Sequence, residues 1–139
     1  MTIPSDVVDR LCAALNGHNL DALTRCFAVD YRNETPVHPA RGFVGREQVR
    51  RNWEGLFAGI PDLTCDVIAE AVDGDTVWTE WEMRGTRRDG SRHLMRGVVV
   101  FTVSDHHFTA ARFYLEPVDE DPGEVDAAIN RLVATEPAP

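Results

Sequence analysis

The hydrophobic residues of this chain change their spacing at Leu63, and that change constrains the fold more than any other feature. Before Leu63, apolar side chains recur every three or four residues, which is typical of amphipathic helices. After it, they alternate with other residues, as in Val77, Thr79, Trp81 and Met83, which is typical of half-buried strands. A chain with its helices first and its long strands afterwards is expected to form an α+β fold.

Three segments before Leu63 have the spacing of helices. Ser5 is predicted to cap the first, which ends at Asn16-Gly17, and Asn19 to cap the second. Gly45 is predicted to open the third helix. Their apolar faces are Val7, Val8, Leu11, Cys12 and Leu15 in the first, Leu20, Leu23 and Phe27 in the second, and Val49, Trp53, Leu56 and Phe57 in the third.

The strands are predicted as one short segment, Tyr31 to Thr35, and a later meander of four long antiparallel strands. The turns of the meander are Asp73-Gly74-Asp75, Arg88-Asp89-Gly90-Ser91 and Asp105-His106-His107. We expect this sheet to curve around the helices and to leave a conical cavity between the two layers. Small-molecule sites favour such apolar concavities with a few convergent polar groups.

The whole chain, residues 1–139, is predicted to be a single domain of ordinary size, with its core at about residues 5–118. A last helix is predicted at about 122–134, because Val125, Ala128, Ile129 and Leu132 follow Pro122 at helical spacing. The closing residues 135–139 are predicted to be disordered.

The charge balance excludes several classes of partner. Fourteen Lys plus Arg against 23 Asp plus Glu give a net charge of −9, and such a field repels phosphate backbones and anionic lipid surfaces. No unbroken apolar stretch approaches the ~20 residues that span a bilayer, and the first residues lack the pattern of a secretory signal. We therefore expect a cytoplasmic protein with no nucleic-acid or membrane partner.

The cysteines and histidines do not suggest a metal site. Cys12, Cys26 and Cys65 are widely spaced, with neither a C-x-x-C pair nor histidines at ligand spacing, and are interpreted as buried thiols in a reducing compartment. His106-His107 lies in a predicted turn and is too isolated to hold a metal. No metal and no cofactor are predicted.

Glu116 is the first candidate for chemistry. It shares one parity of the last strand with Phe108, Ala110, Arg112 and Tyr114, a face that is half apolar. A carboxyl group in such surroundings is a candidate general acid or base. The alternative is that Glu116 is simply the first residue of an acidic segment at the end of the strand, because five acidic residues follow it: Asp119, Glu120, Asp121, Glu124 and Asp126.

Several short segments together resemble the SnoaL-like branch of the nuclear transport factor 2-like superfamily over roughly residues 5–118. They are Phe27-Ala28-Val29-Asp30-Tyr31, Gly45-Arg46-Glu47, Ile60-Pro61-Asp62-Leu63, Trp81-Glu82-Met83-Arg84-Gly85-Thr86 and Arg112-Phe113-Tyr114-Leu115-Glu116-Pro117. The resemblance implies a cone-shaped α+β barrel, also called a cystatin-like roll, with its helices packed in a curved antiparallel sheet. It also implies a deep apolar pocket and a homodimer joined through the sheet.

Members of this superfamily include polyketide cyclases, ketosteroid isomerase-like enzymes, limonene-epoxide-hydrolase-like enzymes and domains that only bind ligands. The acid/base position of the cyclases falls on Glu116, and Glu34 stands where cyclase-like relatives often carry a histidine, with His38 nearby. The isomerase carboxylate position falls on Thr35. The arginine position of the epoxide hydrolases falls on Trp81, between Glu80 and Glu82.

The resulting candidate site has a catalytic set and a substrate-binding set. The catalytic candidates are Glu116, Tyr114, Glu34 and His38; the substrate-binding candidates are Trp53, Phe57, Trp78, Trp81, Glu82, His93, Met95 and Arg96. Each has a structural alternative: an exposed His38 in a Pro-flanked loop, a cross-strand ion pair between Arg96 and Glu82, or core packing of the aromatic residues.

Two classes of function remain open at this point. The first is a cofactor-independent enzyme in which Glu116 moves a proton next to a carbonyl, in an aldol-type cyclisation or an isomerisation of an apolar cyclic or polyketide-like substrate. The second is a domain that binds an apolar small molecule without chemistry. Epoxide hydrolysis is a third possibility, which requires Arg84 or Arg96 to approach Glu116.

Overall fold

Three α-helices precede the long strands and one follows them in the computed structural model, which describes residues 3–135. The helices are α1 (Pro4–Asn16), α2 (Leu20–Arg25), α3 (Arg46–Gly59) and α4 (Val125–Val133). The strands are β1 (Phe27–Glu34), β2 (Phe43–Val44), β3 (Thr64–Asp73), β4 (Thr76–Thr86), β5 (Arg92–Ser104) and β6 (His107–Pro117). The predicted α+β class is confirmed.

The six strands form one curved, unclosed sheet in the order β2-β1-β6-β5-β4-β3. The predicted meander is present as the antiparallel pairs β3–β4, β4–β5 and β5–β6. The first strand differs from the prediction, because it begins at Phe27 and pairs in parallel with β6. This pairing places the first strand beside the last one and makes the sheet mixed rather than wholly antiparallel.

The core lies between α1, α2 and α3 and one face of the sheet, which we call the inner face. Val77, Thr79, Trp81 and Met83 of β4 belong to this face and are buried, as their alternation predicts. Helix α1 contributes Val7, Val8, Leu11 and Leu15 to the same cluster. The opposite, outer face carries Trp78, Glu80 and Glu82 of β4.

Helix starts follow local chemistry, with one correction. The Asn19 side chain accepts a 3.0 Å hydrogen bond from the N–H of Ala22, as expected of an N-cap. Gly45 precedes α3 with a φ of 103°, a conformation that favours glycine. Ser5 is not the cap of α1: Ile3 occupies that position, because Pro4 has no N–H to leave unpaired and fits the first turn.

The C-terminal helix is shorter than predicted and makes no contribution to the core. Helix α4 covers Val125–Val133, and none of its residues is buried. Its apolar residues Val125, Ile129 and Leu132 are at least half exposed. Of the predicted disordered tail, only Thr135 lies within the described residues. No helix between residues 3 and 135 is long and apolar enough to cross a membrane.

Candidate active site

A cavity of about 270 Å³ lies between α3 and the inner face of the sheet at β1 and β6. Its apolar wall consists of Phe27, Phe43, Val49, Trp53, Leu56, Phe113 and Leu115. Its polar groups are Tyr31, Asn33, Thr35, Arg41, Asn52 and Glu116. A few polar groups on an apolar wall is the usual composition of a small-molecule site.

The buried polar pair of the cavity is Tyr31 and Asn33, which are only 1% and 8% exposed. The Tyr31 hydroxyl donates a 2.8 Å hydrogen bond to Oδ1 of Asn33. Burial raises the pKa of the Tyr31 phenol far above its usual range, so the phenol remains a donor. Asn33 lines the cavity, and because its carbonyl oxygen is engaged by Tyr31, its amide N–H groups are the polar groups that it can offer there.

A carboxylate–imidazole pair stands at the mouth of the cavity. Oε1 of Glu116 lies 3.0 Å from Nε2 of His38, and each side chain is 37% exposed. Glu116 lines the cavity, whereas His38 contacts Glu116 from the loop that follows β1. Two of the four predicted catalytic residues are therefore brought together by the fold.

The loop that carries His38 is held by its own backbone. The N–H of His38 donates to the carbonyl of Thr35 at 2.8 Å, and the N–H of Arg41 donates to the carbonyl of His38 at 2.9 Å. Pro36 and Pro39 restrict the chain on either side of His38. The backbone on both sides of His38 therefore forms a hydrogen-bonded turn, and this turn places the imidazole next to Glu116.

Of the two aromatic side chains of α3, one lines the cavity and the other packs behind it. Trp53 lines the cavity. Phe57 lies behind it, with ring centroids 5.8 Å apart, and stacks on His18 at 4.4 Å. The His18 Nε2 atom is 2.7 Å from the carbonyl oxygen of Leu63, so this stack joins α3 to the start of the meander.

Most of the other predicted site residues lie away from this cavity. Trp81 is in the core, where its indole N–H donates to Thr79 at 2.6 Å. Trp78 and Tyr114 belong to the outer face and are 47% and 39% exposed. Glu34 is also exposed, next to Arg112 in the register of β1 and β6.

The remaining four predicted residues have structural partners elsewhere. Met95 is opposite Met83 and packs against the core. His93 is buried beside the β4–β5 turn, where its Nδ1 is 3.4 Å from Arg87. On the outer face Arg96 donates to Glu82 at 2.9 Å, and this hydrogen bond is the main reason why the pKa of Glu82 is lowered.

Sequence reasoning missed Tyr31 and Asn33, although a signal for them was present. Tyr31 and Asn33 alternate along β1, and Thr35 continues the alternation just after it, so their side chains share a face. The apolar neighbours Phe27 and Tyr31 indicate that this face is the inner one. Arg41 and Asn52 carry no such signal, because Arg41 ends a short 3₁₀ helix, Pro39–Arg41, and Asn52 comes from the polar side of α3.

No cluster of three or more His, Cys, Asp or Glu side chains suited to a metal occurs in the part of the chain that the structure describes. The available groups are a carboxylate with an imidazole partner at the mouth and amide donors deeper in the cavity.

Comparisons with known proteins agree on one family and one fold. A family model described as a SnoaL-like domain matches residues 8–111. No curated protein shows significant sequence similarity to the chain. Several solved structures share its fold.

IdmH from Streptomyces antibioticus, a candidate polyketide cyclase, is 24% identical with a TM-score of 0.72, covering 83% of this chain and 93% of its own. A ketosteroid isomerase-like protein from Catenulispora acidiphila, solved with trimethylamine, is 21% identical with a TM-score of 0.68, covering 78% and 84%. An epoxide hydrolase of the LEH-like type from M. tuberculosis is 18% identical with a TM-score of 0.70, covering 81% and 82%. At these identities the likeness shows the common fold.

Proposed function

Because this chain belongs to the SnoaL-like domain family, we propose that it is a small-molecule enzyme that moves a proton at a carbon next to a carbonyl, without a cofactor. The observation that carries the proposal is the Glu116–His38 pair at the mouth of a mainly apolar cavity. Glu116 acts as the base and then as the acid. His38 is a positioning residue that holds the carboxylate.

The cavity sets the size of the substrate. An apolar cavity of about 150 Å³ accommodates benzene, so a space of about 270 Å³ suits one or two rings. The apolar wall favours a hydrocarbon-rich ring system and excludes water from the reacting carbon. A larger polyketide-like substrate would place one end in the cavity and leave the rest at the open mouth.

In the proposed reaction, the Glu116 carboxylate removes a proton from the carbon beside the substrate carbonyl. Negative charge then develops on the carbonyl oxygen, where an amide N–H of Asn33 donates a hydrogen bond. The Tyr31 hydroxyl fixes the Asn33 amide so that its donors face the cavity. Return of the proton at another atom gives an isomerisation, and attack of the enolate on a second carbonyl gives an aldol-type ring closure.

Similarity to IdmH supports the aldol-type reaction over simple isomerisation, since that neighbour is a candidate polyketide cyclase. The position that holds the base of isomerase-like relatives is Thr35 here, and a threonine hydroxyl is a poor base. Epoxide hydrolysis has less support. Arg96 is the cross-strand neighbour of Glu116, but its guanidinium bonds Glu82 on the outer face, as that of Arg84 does.

Proton exchange tests the proposal before the natural substrate is known. One- and two-ring ketones such as cyclohexanone and tetralone are incubated with the protein in D₂O, and loss of the α-proton signal is followed by NMR. We expect exchange above the buffer rate, and a loss of about 10²–10⁴-fold in Glu116→Gln, which is the usual contribution of a general base. Glu124→Gln, an exposed change just before α4, is the matched control.

Binding distinguishes the enzyme from a ligand-binding domain. Quenching of Trp53 fluorescence by the same ketones reports occupancy of the cavity, and Trp53→Phe identifies that signal. Ketones that bind but exchange equally fast in wild type and Glu116→Gln would exclude the acid/base role and leave a binding domain. Exchange that falls with Glu116→Gln while binding persists supports the enzyme.

We also propose that the protein is a homodimer joined through the outer face of the sheet. Trp78 and Tyr114 are exposed there, Val98 lies between their strands, and the Arg112 guanidinium is 6.0 Å from the Trp78 ring centroid. Exposed aromatic and arginine side chains are enriched at interfaces. Light scattering is expected to give a dimer for wild type and for the control Val29→Ser, and a monomer for Trp78→Glu; a monomeric wild type would contradict the proposal.

A further inference from the structure

Helix α1 and strand β3 hold two thiols against each other. The Cys12 and Cys65 thiols interact closely enough for each to shift the pKa of the other. One helical turn after Cys12, the Asn16 side chain accepts from the N–H of Cys65 at 2.8 Å and donates to the carbonyl of Cys65 at 3.1 Å. Because residues four apart lie on the same face of a helix, this clamp also fixes Cys12 opposite Cys65.

The two thiols differ in access and in acidity. Cys12 is half-buried, whereas Cys65 is 3% exposed. The interaction between the two thiols lowers the pKa of Cys12 and raises that of Cys65, while burial and the nearby carboxylates of Asp9, Glu70 and Asp66 oppose the lowering at Cys12. Cys12 is therefore the thiol that an oxidant reaches and that ionises first.

We propose that Cys12 and Cys65 are a redox pair that closes into a reversible disulfide when a peroxide oxidises the protein. The Asn16 clamp, which holds the Cys65 backbone against the helical face that carries Cys12, carries this inference. It is independent of the proposed catalytic function, since both residues lie outside the cavity wall. Cys26, the third cysteine, hydrogen-bonds the carbonyl of Ala22 within its own turn and takes no part.

The chemistry balances with hydrogen peroxide as the oxidant. The Cys12 thiolate attacks one peroxide oxygen, the O–O bond breaks, and a sulfenic acid and hydroxide form. The Cys65 sulfur then attacks the Cys12 sulfur; the Cys65 proton and the departing hydroxyl leave as water. Two thiols are oxidised by two electrons, one peroxide is reduced to two waters, and a dithiol reductant reverses the bond.

The cross-link would tie the N-terminal helix to the meander. Helix α1 supplies Val7, Val8, Leu11 and Leu15 to the core, and β3 is an edge strand of the sheet. Joining them restricts the unfolded chain, so the oxidised protein is expected to unfold at a temperature roughly several degrees higher. Peroxide exposure would thus stabilise the fold reversibly.

Intact mass, thiol counting and peptide mapping test the proposal on the full-length protein. After mild hydrogen peroxide treatment, we expect wild type to lose the mass of two hydrogen atoms, to retain one of its three thiols after unfolding, and to yield a Cys12–Cys65 peptide. Dithiothreitol should restore all three thiols. Cys26→Ser is the matched control and should still form the disulfide and show the rise in melting temperature.

Cys12→Ser and Cys65→Ser should each abolish both the disulfide and the rise. If Cys65→Ser fails to fold, Cys12→Ser alone suffices, because Cys12 is only half-buried. Addition of oxygen atoms without a disulfide, a cross-link through Cys26, or a Cys12→Ser protein that gains the same melting-temperature rise would overturn the proposal.

Discussion

Oε1 of Glu116 lies 3.0 Å from Nε2 of His38 because β1 and β6 run parallel to each other. Two parallel neighbouring strands have their C-terminal ends on the same side of the sheet, so the loop after β1 lies close to the last residues of β6. Glu34, at the end of β1, is already level with Arg112, and His38 reaches Glu116 from the turn beyond. A parallel first strand is thus what assembles the mouth of the candidate site.

Replacing His38 with Asn should reduce catalysis more than binding. The substitution removes the imidazole next to Glu116, and a hydrogen bond to a charged group contributes about 1.5–3 kcal/mol, which corresponds to roughly a 10–100-fold change in rate. On a ketone that shows exchange, we expect kcat to fall by about this factor while KM changes little.

His107→Asn is the matched control for that measurement, because His107 bonds the carbonyl of Asp105 in a distant turn. The positioning role predicts that a second substitution, Glu116→Gln, removes the effect of His38→Asn. Independent, additive losses in the double variant would contradict a role for His38 that acts through Glu116.

Much of the architecture was predictable because it is local. The family assignment, the α+β class and the strands of the meander follow from segments whose periodicity and turn residues agree. The parallel pairing of β1 was not predicted. It joins segments far apart in the chain, and no turn motif in the sequence links the two strands as it does in a hairpin. The site depends on that pairing, so its assembly could not be predicted from periodicity alone.

The hydrogen bond between Tyr31 and Asn33 should appear as a coupling in a double-mutant cycle. Asn33→Leu leaves the buried Tyr31 hydroxyl without its acceptor, and an unsatisfied buried donor costs about 1–3 kcal/mol. Tyr31→Phe should cost less, because the amide of Asn33 can still face the cavity. Urea unfolding of both single variants and the double variant measures the coupling; strictly additive losses would show that the bond contributes nothing.

We predict that the sheet tolerates no side chain at position 97, which is Gly97. Its φ is 156°, and a Cβ there would collide with the backbone of Tyr114 and Leu115 on the neighbouring strand. Gly97→Ala should destabilise the fold by about 2–3 kcal/mol, measured by urea unfolding. Gly55→Ala is the opposite control, because nothing lies within 4 Å of a Cβ there and alanine favours a helix by about 0.5–1 kcal/mol.

The mapping of site residues was least accurate where both faces of a strand carry aromatic or apolar residues. On β4, Trp78 and Trp81 differ in parity, so alternation assigns them to opposite faces, yet aromatic content alone made both candidates for one pocket. On β6, both parities are partly apolar, so Tyr114 could not be assigned to the outer face. Which face is inner is decided by the helices that cover it.

His93 should make the fold less stable in mild acid. Burial lowers the pKa of its imidazole from the ordinary value of 6.5, and the Arg87 guanidinium, 3.4 Å from Nδ1, adds to the lowering. The unfolded chain therefore binds a proton at a higher pH than the folded protein does. The stability that the neutral His93 imidazole contributes is fully present above about pH 6.5 and is lost as the pH falls through the folded pKa.

Urea unfolding at a series of pH values should show the free energy of unfolding rising with pH in this window, with a shallower slope in His93→Gln. His107→Gln, a change at the first residue of β6, is the matched control for the loss of a histidine; an unchanged slope in His93→Gln would mean that this buried imidazole does not set the acid sensitivity of the fold.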